Sequence, residues 1–267
     1  MNVIVCVKQV PATESNLQVA AHGSGINRAG LNFVVNPYDE FAVEEALRMK
    51  ERLGTGEVTI LSLRPHAAQK TEEALRSCLA MGADKGVLLS DPAFEGGDSL
   101  TVSLVLAAAI RRLPFDLILC GKQAVDDDGG TVGIQVAEIL GLPHVAVVNK
   151  LEIHQDARRA LAHRQIEGGI EVVETPLPAL ITCQKGLNEP RYPSLSGIMK
   201  AKQKPLEIWD RETLGLASAT VGKAGSKLTV LRLEAPPPRP AGRIFLGDAS
   251  IAVKELVRLL HEETKIV

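Results

Sequence analysis

Short apolar runs alternate with helical repeats through the first 148 residues of the chain, and this alternation limits its fold more than any other feature. Val3 to Val7, Val58 to Leu63, Gly86 to Ser90 and residues 115 to 120 and 145 to 148 are mostly apolar, as strands covered on both faces would be. Between them, a helix opening at Pro37 buries Val43, Ala46, Leu47, Leu53 and the stem of Lys50, and stops at Gly54. Asn36, reached through Val34 and Val35, is placed to cap it. Lys70 to Met81 turns Ala74, Leu75, Cys78 and Leu79 inward and closes at Gly82. A third helix runs from Ser99, a candidate cap, to Leu113, and a fourth from Thr131 to Leu140 ends at Gly141 with Pro143 beyond. Such alternation predicts a doubly wound α/β fold, a mainly parallel sheet with helices on both faces, whose ligands bind outside the carboxyl ends of the strands. With 267 residues, 45% of them hydrophobic, the chain can bury a full core as one domain with an extension.

Residues 149 to 183 change character. Leu151 to His154, Ala160 to Ile166 and Ile170 to Glu174 alternate or are rich in β-formers, separated by Gln155 to Arg158 and by Glu167, Gly168 and Gly169, which predicts a small β-meander. Ala179 to Cys183 is apolar and returns to the sheet. After Lys204 the pattern weakens into a polar stretch that ends in a stiff connector, Ala235 to Pro240, rich in proline. Asp248 starts a last helix, to about Thr264, with Ile251, Leu256, Leu259 and Leu260 on one face. A lone helix is marginal in water, so this one packs on the domain or on another subunit. The expected division is an α/β nucleotide-binding domain over residues 1–204 and a C-terminal arm ending in a helix over 205–267.

The candidate chemistry is concentrated between Asp116 and Pro143, DLILCGKQAVDDDGGTVGIQVAEILGLP. An apolar strand ends at Gly121, passes through an acidic, glycine-bearing turn and becomes a helix. Gly129 and Gly130 fall at the helix start, where backbone N–H groups and the positive dipole end hold a phosphate. The carboxylates of Asp126, Asp127 and Asp128 do not hold an anion; they cap, bond neighbouring N–H groups, or accept from a ribose or a partner. Many parallel sheets contain such a turn without a ligand, and no G-x-G-x-x-G, G-x-x-x-x-G-K-[ST] or G-x-S-x-G occurs in the chain. A net charge of −2 and 3% aromatics argue against nucleic acid as a partner. No apolar stretch reaches roughly 18 residues, so no membrane insertion is expected. Cys6, Cys78, Cys120 and Cys183 lie among apolar residues with no C-x-x-C pair and read as reduced thiols of a cytoplasmic protein. His22, His66, His144, His154, His163 and His261 have no metal-ligand spacing, and no catalytic triad can be ordered from the chain.

The segment GKQAVDDDGGTVGIQVAEILGLP resembles the signature of the electron transfer flavoprotein beta subunit. Three further runs resemble the same family, in order and at the expected separations. VIVCVKQVPATES at Val3 to Ser15 looks like its first strand and turn, and NPYDEFAVEEALRMKE at Asn36 to Glu51 like its second nucleotide segment. LNEPRYPSLSGIMKAKQKPLE at Leu187 to Glu207 is similar to the loop through which the family docks on partner dehydrogenases. The resemblance implies a Rossmann-like sheet of the adenine-nucleotide α-hydrolase-like type, in a heterodimer whose alpha subunit holds most of the FAD and is wrapped by the C-terminal arm. It further implies an electron carrier rather than a stand-alone enzyme, accepting from flavin dehydrogenases such as acyl-CoA dehydrogenases. The acceptor would be a membrane quinone oxidoreductase or another carrier, and the redox chemistry would be the flavin's.

Carried over residue by residue, the resemblance places AMP against Cys6, Asn36, Tyr38, Asp39, Leu63, Gly121, Lys122, Gln123, Ala124, Val125, Asp126, Asp127, Asp128, Gly129, Gly130, Thr131 and Val132. Cys6 and Leu63 would be apolar walls, Asn36 and Gln123 would hydrogen-bond a base or ribose, and Gly129, Gly130 and Thr131 would meet the phosphate. Tyr38 is a candidate wall for the isoalloxazine of the alpha subunit's FAD and equally an ordinary helix-entry staple. In the docking run, Leu195 is the expected anchor, with Arg191, Tyr192, Ile198, Met199 and Lys200 around it. Residue type alone would make this run a charged surface loop. Gly130-Thr131-Val132 stands where the AMP-binding branch has Asn-Gln-Thr. TVGIQVAE at Thr131 and DPAFEGGDSLT at Asp91 are similar to an electron-bifurcating, NADH-dependent branch that holds a second FAD, although Asp127 and Pro92 replace that branch's glycine and arginine. AMP is the favoured ligand, a second FAD the alternative, and an adenine-nucleotide sensor without an alpha partner a third reading.

Overall fold

The computed structural model describes all residues except His22, Ser24, 65–69, Gln155, Ala157, Arg239, Pro240, Ile266 and Val267. Two of the histidines considered above, His22 and His66, therefore lie outside the described residues, as do parts of the turn at 155–158 and the end of the proline connector. In chain order the first half contains β1 (Val3–Cys6), β2 (Gln9–Pro11), β3 (Phe33–Val35), α1 (Pro37–Leu53), β4 (Val58–Leu63), α2 (Thr71–Met81), β5 (Lys85–Leu89), α3 (Ser99–Ile110), β6 (Leu117–Gly121) and α4 (Val132–Leu140). There follow β7 (His144–His154), β8 (Arg159–Ile166), β9 (Gly169–Pro176), β10 (Ala179–Cys183), α5 (Leu195–Ala201) and β11 (Leu206–Trp209).

Among the described residues, nine strands form one sheet in the order β11-β5-β4-β1-β6-β10-β7-β8-β9, and β2 pairs with β3 separately. All pairings from β11 to β7 are parallel, and β8 and β9 continue antiparallel as the expected meander. The continuous apolar runs are explained by two cores, one on each face. Val3 and Val5 of β1 pack in a cluster with Val43, Leu47, Leu75 and Leu79 of α1 and α2. Ile4, between them, joins Val105, Ile110 and Val136 of α3 and α4. Each such fully buried aliphatic side chain contributes about 1.5–3 kcal/mol, so neither face of these strands tolerates a polar residue without a partner.

Several local readings change. Asn36 stands at the N-cap of α1 without a side-chain cap bond, because its amide is engaged in the acidic turn described below. Asp98 rather than Ser99 caps α3, accepting from the Thr101 N–H at 2.9 Å. The two strands expected at 145–148 and 151–154 are one strand, β7, bent by a register shift between Val148 and Lys150 with Val147 at φ 63°. The bend lets one strand pair parallel with β10 on one side and antiparallel with β8 on the other. The return strand β10 inserts between β6 and β7. The sheet also continues past Lys204, since β11 pairs with β5 along its outer edge.

By its internal contacts the chain divides into one unit of Met1–Leu17 with Asn27–Leu231, and another of Gln18–Ile26 with Arg232–Val267. In the second, Val19 bridges Ile26, and the Leu233 N–H donates to the Gly23 carbonyl at 2.9 Å. Its helix (Ala249–Leu259) is capped by Asp248, as expected, and widens into a π turn over Leu260–Thr264. Ile251, Val253, Leu256 and Val257 of this unit are exposed.

Candidate nucleotide site and docking face

Connections leave β1 toward β4 and β5 on one side, whereas β6 begins the other half of the sheet, so β1 and β6 flank a topological switch point. In open α/β sheets the crevice outside the carboxyl ends at such a point is where ligands bind. The acidic turn after β6 and the residues after β1 meet there. Asp39, in the first turn of α1, straps the two strand ends together: its carboxylate accepts from the Lys8 N–H at 2.7 Å and the Gly121 N–H at 2.9 Å. Gly121 must be glycine for this approach, because a Cβ there would lie 2.4 Å from Asp39 Oδ1 and 2.7 Å from the Tyr38 carbonyl carbon.

Asn36, buried, donates to the Gln123 carbonyl at 2.9 Å and accepts from the Val125 N–H at 3.1 Å. Its amide thus shapes the turn rather than waiting for a base. Gln123 Nε2 lies 2.5 Å from Asp128 Oδ1, and Asp127 folds back to accept from the Gly129 N–H at 3.0 Å. The feature that residue type did not reveal is Lys8. Its ammonium bridges Asp126 Oδ1 at 2.7 Å and Asp127 Oδ2 at 2.9 Å across the crevice. Burial works against ionisation of Asp127, but the Gly129 N–H and Lys8 hold its carboxyl below the usual range. A lysine two residues beyond an apolar strand was the available signal, and it carries no meaning until the partner turn is located.

Two aspartates are therefore turned onto Lys8 and one onto Gln123, and Asp127 also occupies the Gly129 N–H, so the donors left for an anion begin at Gly130 rather than at Gly129. Gly130 has φ 60°, and Thr131 makes no side-chain cap. The first internal bond of α4 runs from the Gln135 N–H to the Thr131 carbonyl at 2.9 Å, so the N–H groups of the turn before it point out of the helix. Helix α4 reaches the strand ends closely because Gly133 lacks a Cβ, which would lie 2.6 Å from Cys120 Sγ. Tyr38 carries the Lys122 ammonium 5.0 Å from its ring centroid. Cys6 and Leu63 are partly buried at the ends of β1 and β4 and pack against the α3–α4 core. Ala124, Val125 and Val132 line the loop as half-buried residues. This arrangement can hold an anion on backbone N–H groups and an apolar ring against strand ends.

Burial pushes the Asp39 carboxyl up to about 7, against the opposing Lys8 and Gly121 N–H groups. Because that value exceeds the ordinary 3.8, Asp39 stabilises the fold fully below about pH 4, and the contribution is lost as pH rises to about 7. Urea titration should therefore show wild type losing roughly 1–4 kcal/mol relative to Asp39→Asn between those limits, with no further change above. A difference independent of pH across that window would mean that the group titrates normally.

The run Leu187 to Glu207, expected above to be a docking loop, is not a free loop. Ser194 caps α5, accepting from the Gly197 N–H at 3.0 Å, and α5 packs on α2. Arg76 Nη1 reaches the carbonyls of Ala201 and Lys204 at 2.7 and 2.9 Å, while Lys204 Nζ caps α2 through Leu79 and Ala83 at 2.9 and 2.6 Å. On this mounting Leu195 is 85% exposed and Tyr192 95%, with Ile198, Met199 and Lys200 also exposed. Arg191 instead turns inward onto α1.

Residues 24–214 match the sequence profile of the electron transfer flavoprotein domain. The chain is 39% identical to the electron transfer flavoprotein subunit beta of Bacillus subtilis over 268 aligned positions, covering 100% of both chains. It belongs to the electron transfer flavoprotein beta-subunit family. It is also 41% identical to the caffeyl-CoA reductase-Etf complex subunit CarD of Acetobacterium woodii, covering 92% of each chain. Protein FixA of Azotobacter vinelandii is 39% identical, with 90% of this chain and 85% of that one covered. Membership implies an alpha subunit as heterodimer partner and association with a flavin or nucleotide. Among the described residues no helix is long and apolar enough to cross a membrane.

Proposed function

We propose that this beta subunit completes a heterodimer that takes electrons from flavin dehydrogenases of the acyl-CoA dehydrogenase kind. It passes them, through FAD held mainly by the alpha subunit, to a quinone-linked or other acceptor, and acts in the cytoplasm with AMP in the switch-point crevice. The observation that carries the reading is the acidic turn itself. Its carboxylates engage Lys8, Gln123 and the Gly129 N–H, leaving one cradle for a phosphate at Gly130 and Thr131, at the start of α4. One cradle of this size suits a single phosphate. Tyr38, with the Lys122 ammonium 5.0 Å from its ring centroid, would be the wall toward the flavin, which supplies the redox chemistry when bound.

A specific observation favours a second reading, a second FAD in place of AMP in an electron-bifurcating complex. Lys8, shared between Asp126 and Asp127, offsets part of the negative charge that would otherwise repel a pyrophosphate, and one relative is named as part of a caffeyl-CoA reductase complex. Nucleotides extracted from the purified heterodimer and identified by mass decide between them. One FAD and one AMP per heterodimer is the expected result, and two FAD without AMP would replace it by the second reading.

A further inference from the structure

Arg191 lies four residues before Leu195 in the docking segment, yet its guanidinium faces α1. Nε and Nη2 fork onto the Glu44 carboxylate at 2.7 and 3.0 Å, and the Arg191 N–H reaches the same carboxylate at 3.2 Å. Nη1 and Nη2 meet Glu51, one further α1 carboxylate, at 2.5 and 3.0 Å. The Glu44 side chain is only 3% exposed, with Arg48 approaching it at 3.2 Å. Beside it the buried Glu45 accepts from Asn188 Nδ2 at 3.0 Å, and the same amide donates to the Phe41 carbonyl at 3.0 Å. Glu51 and then Glu44 raise Arg191 above its ordinary range, so it stays charged.

We propose that Arg191 is a positioning residue, clasping the docking segment onto α1 through Glu44 and Glu51 so that Leu195, Ile198 and Met199 form a preformed face for the dehydrogenase. The inference rests on the docking reading above. Two carboxylates consume the charge of Arg191, so it offers no field to steer an encounter; its effect is to remove the ordering cost of binding. The fork is also specific to arginine, because an ammonium can bridge two carboxylates, as Lys8 does, but cannot meet each of them with a pair of coplanar donors. Without Arg191 the buried Glu44 would keep only the single Arg48 contact at 3.2 Å, which is unfavourable and ties the segment to the helix rather than merely near it. The first turn of the same helix carries Tyr38 and Asp39, so the docking face and the nucleotide crevice are registered on one rigid element.

Two measurements on the FAD-loaded heterodimer test this. Amide hydrogen exchange over residues 188–198 needs no dehydrogenase: Arg191→Lys and Arg191→Gln should both speed it roughly tenfold or more, leaving β1 and β6 unchanged. Unaltered exchange would overturn the clasp. In reduction by a substrate-charged acyl-CoA dehydrogenase, Arg191→Lys should lose kcat/KM as Arg191→Gln does, chiefly through KM; rescue by lysine would mean steering. Glu51→Gln keeps the buried Glu44 pair and so folds. It should lower kcat/KM, whereas a steering Arg191 predicts a rise, since a negative charge has been removed. If Leu195→Ala leaves the rate unchanged while exchange in Arg191→Lys is fast, the clasp holds and the docking reading fails.

Discussion

Gly121→Ala should lower the thermal midpoint by roughly 6 °C, equivalent to about 2 kcal/mol in a chain of this size, and should release most of the bound nucleotide. The added Cβ would sit 2.4 Å from Asp39 Oδ1 and 2.7 Å from both the Tyr38 carbonyl carbon and Cβ. Most of that obstruction is the first turn of α1, which cannot swing aside as a long side chain would. Either α1 lifts from β6 or the strand end shifts, and in both cases the Asp39 bond to the Gly121 N–H at 2.9 Å is lost. The strap between β1 and β6 then opens on the side that shapes the crevice. Gly129→Ala is the matched control: its Cβ would meet nothing closer than Asp127 Oδ1 at 3.5 Å, so stability should stay within about 0.5 kcal/mol. Differential scanning calorimetry with nucleotide analysis checks both, and equal midpoints for the two variants would contradict the packing argument.

Leu195→Ala should reduce kcat/KM for electron transfer from a cognate dehydrogenase roughly 30-fold, the effect of losing an anchor worth about 2 kcal/mol. The side chain is 85% exposed at the first turn of a capped, well-mounted helix, so truncation removes no internal packing and stability should hold. FAD and AMP content should likewise be unchanged, because Leu195 belongs to α5 and the crevice to the ends of β1 and β6. Stopped-flow reduction of the flavin by the reduced dehydrogenase gives the rate. A rate equal to wild type would remove Leu195 from the interface.

How far the fold could be read from the residues depended on whether the signal was local. The helix α1 was legible at both ends because Pro37 presets its first turn and Gly54 supplies φ 67° at its stop. Continuous apolar strands announced burial on both faces, and the two clusters confirm it. What stayed hidden was set by partners distant in the chain. Asn36 looks like a cap until the Gln123 carbonyl and Val125 N–H, 87 and 89 residues on, are seen to claim its amide. β11 is short and follows a polar loop, and only its pairing with β5 makes it a strand. β7 looked like two strands because a bulge interrupts its register. In the site, the glycine-bearing turn was visible, whereas Lys8 and the Glu44–Arg191–Glu51 clasp depend on contacts across more than a hundred residues.

Co-expression of this chain with its alpha subunit tests the central claim most directly, by reading the stoichiometry of the purified particle and the reduction of its flavin. The expected result is a one-to-one heterodimer whose FAD is bleached by a reduced acyl-CoA dehydrogenase; a flavin-free assembly of this chain alone that still binds an adenine nucleotide would contradict it.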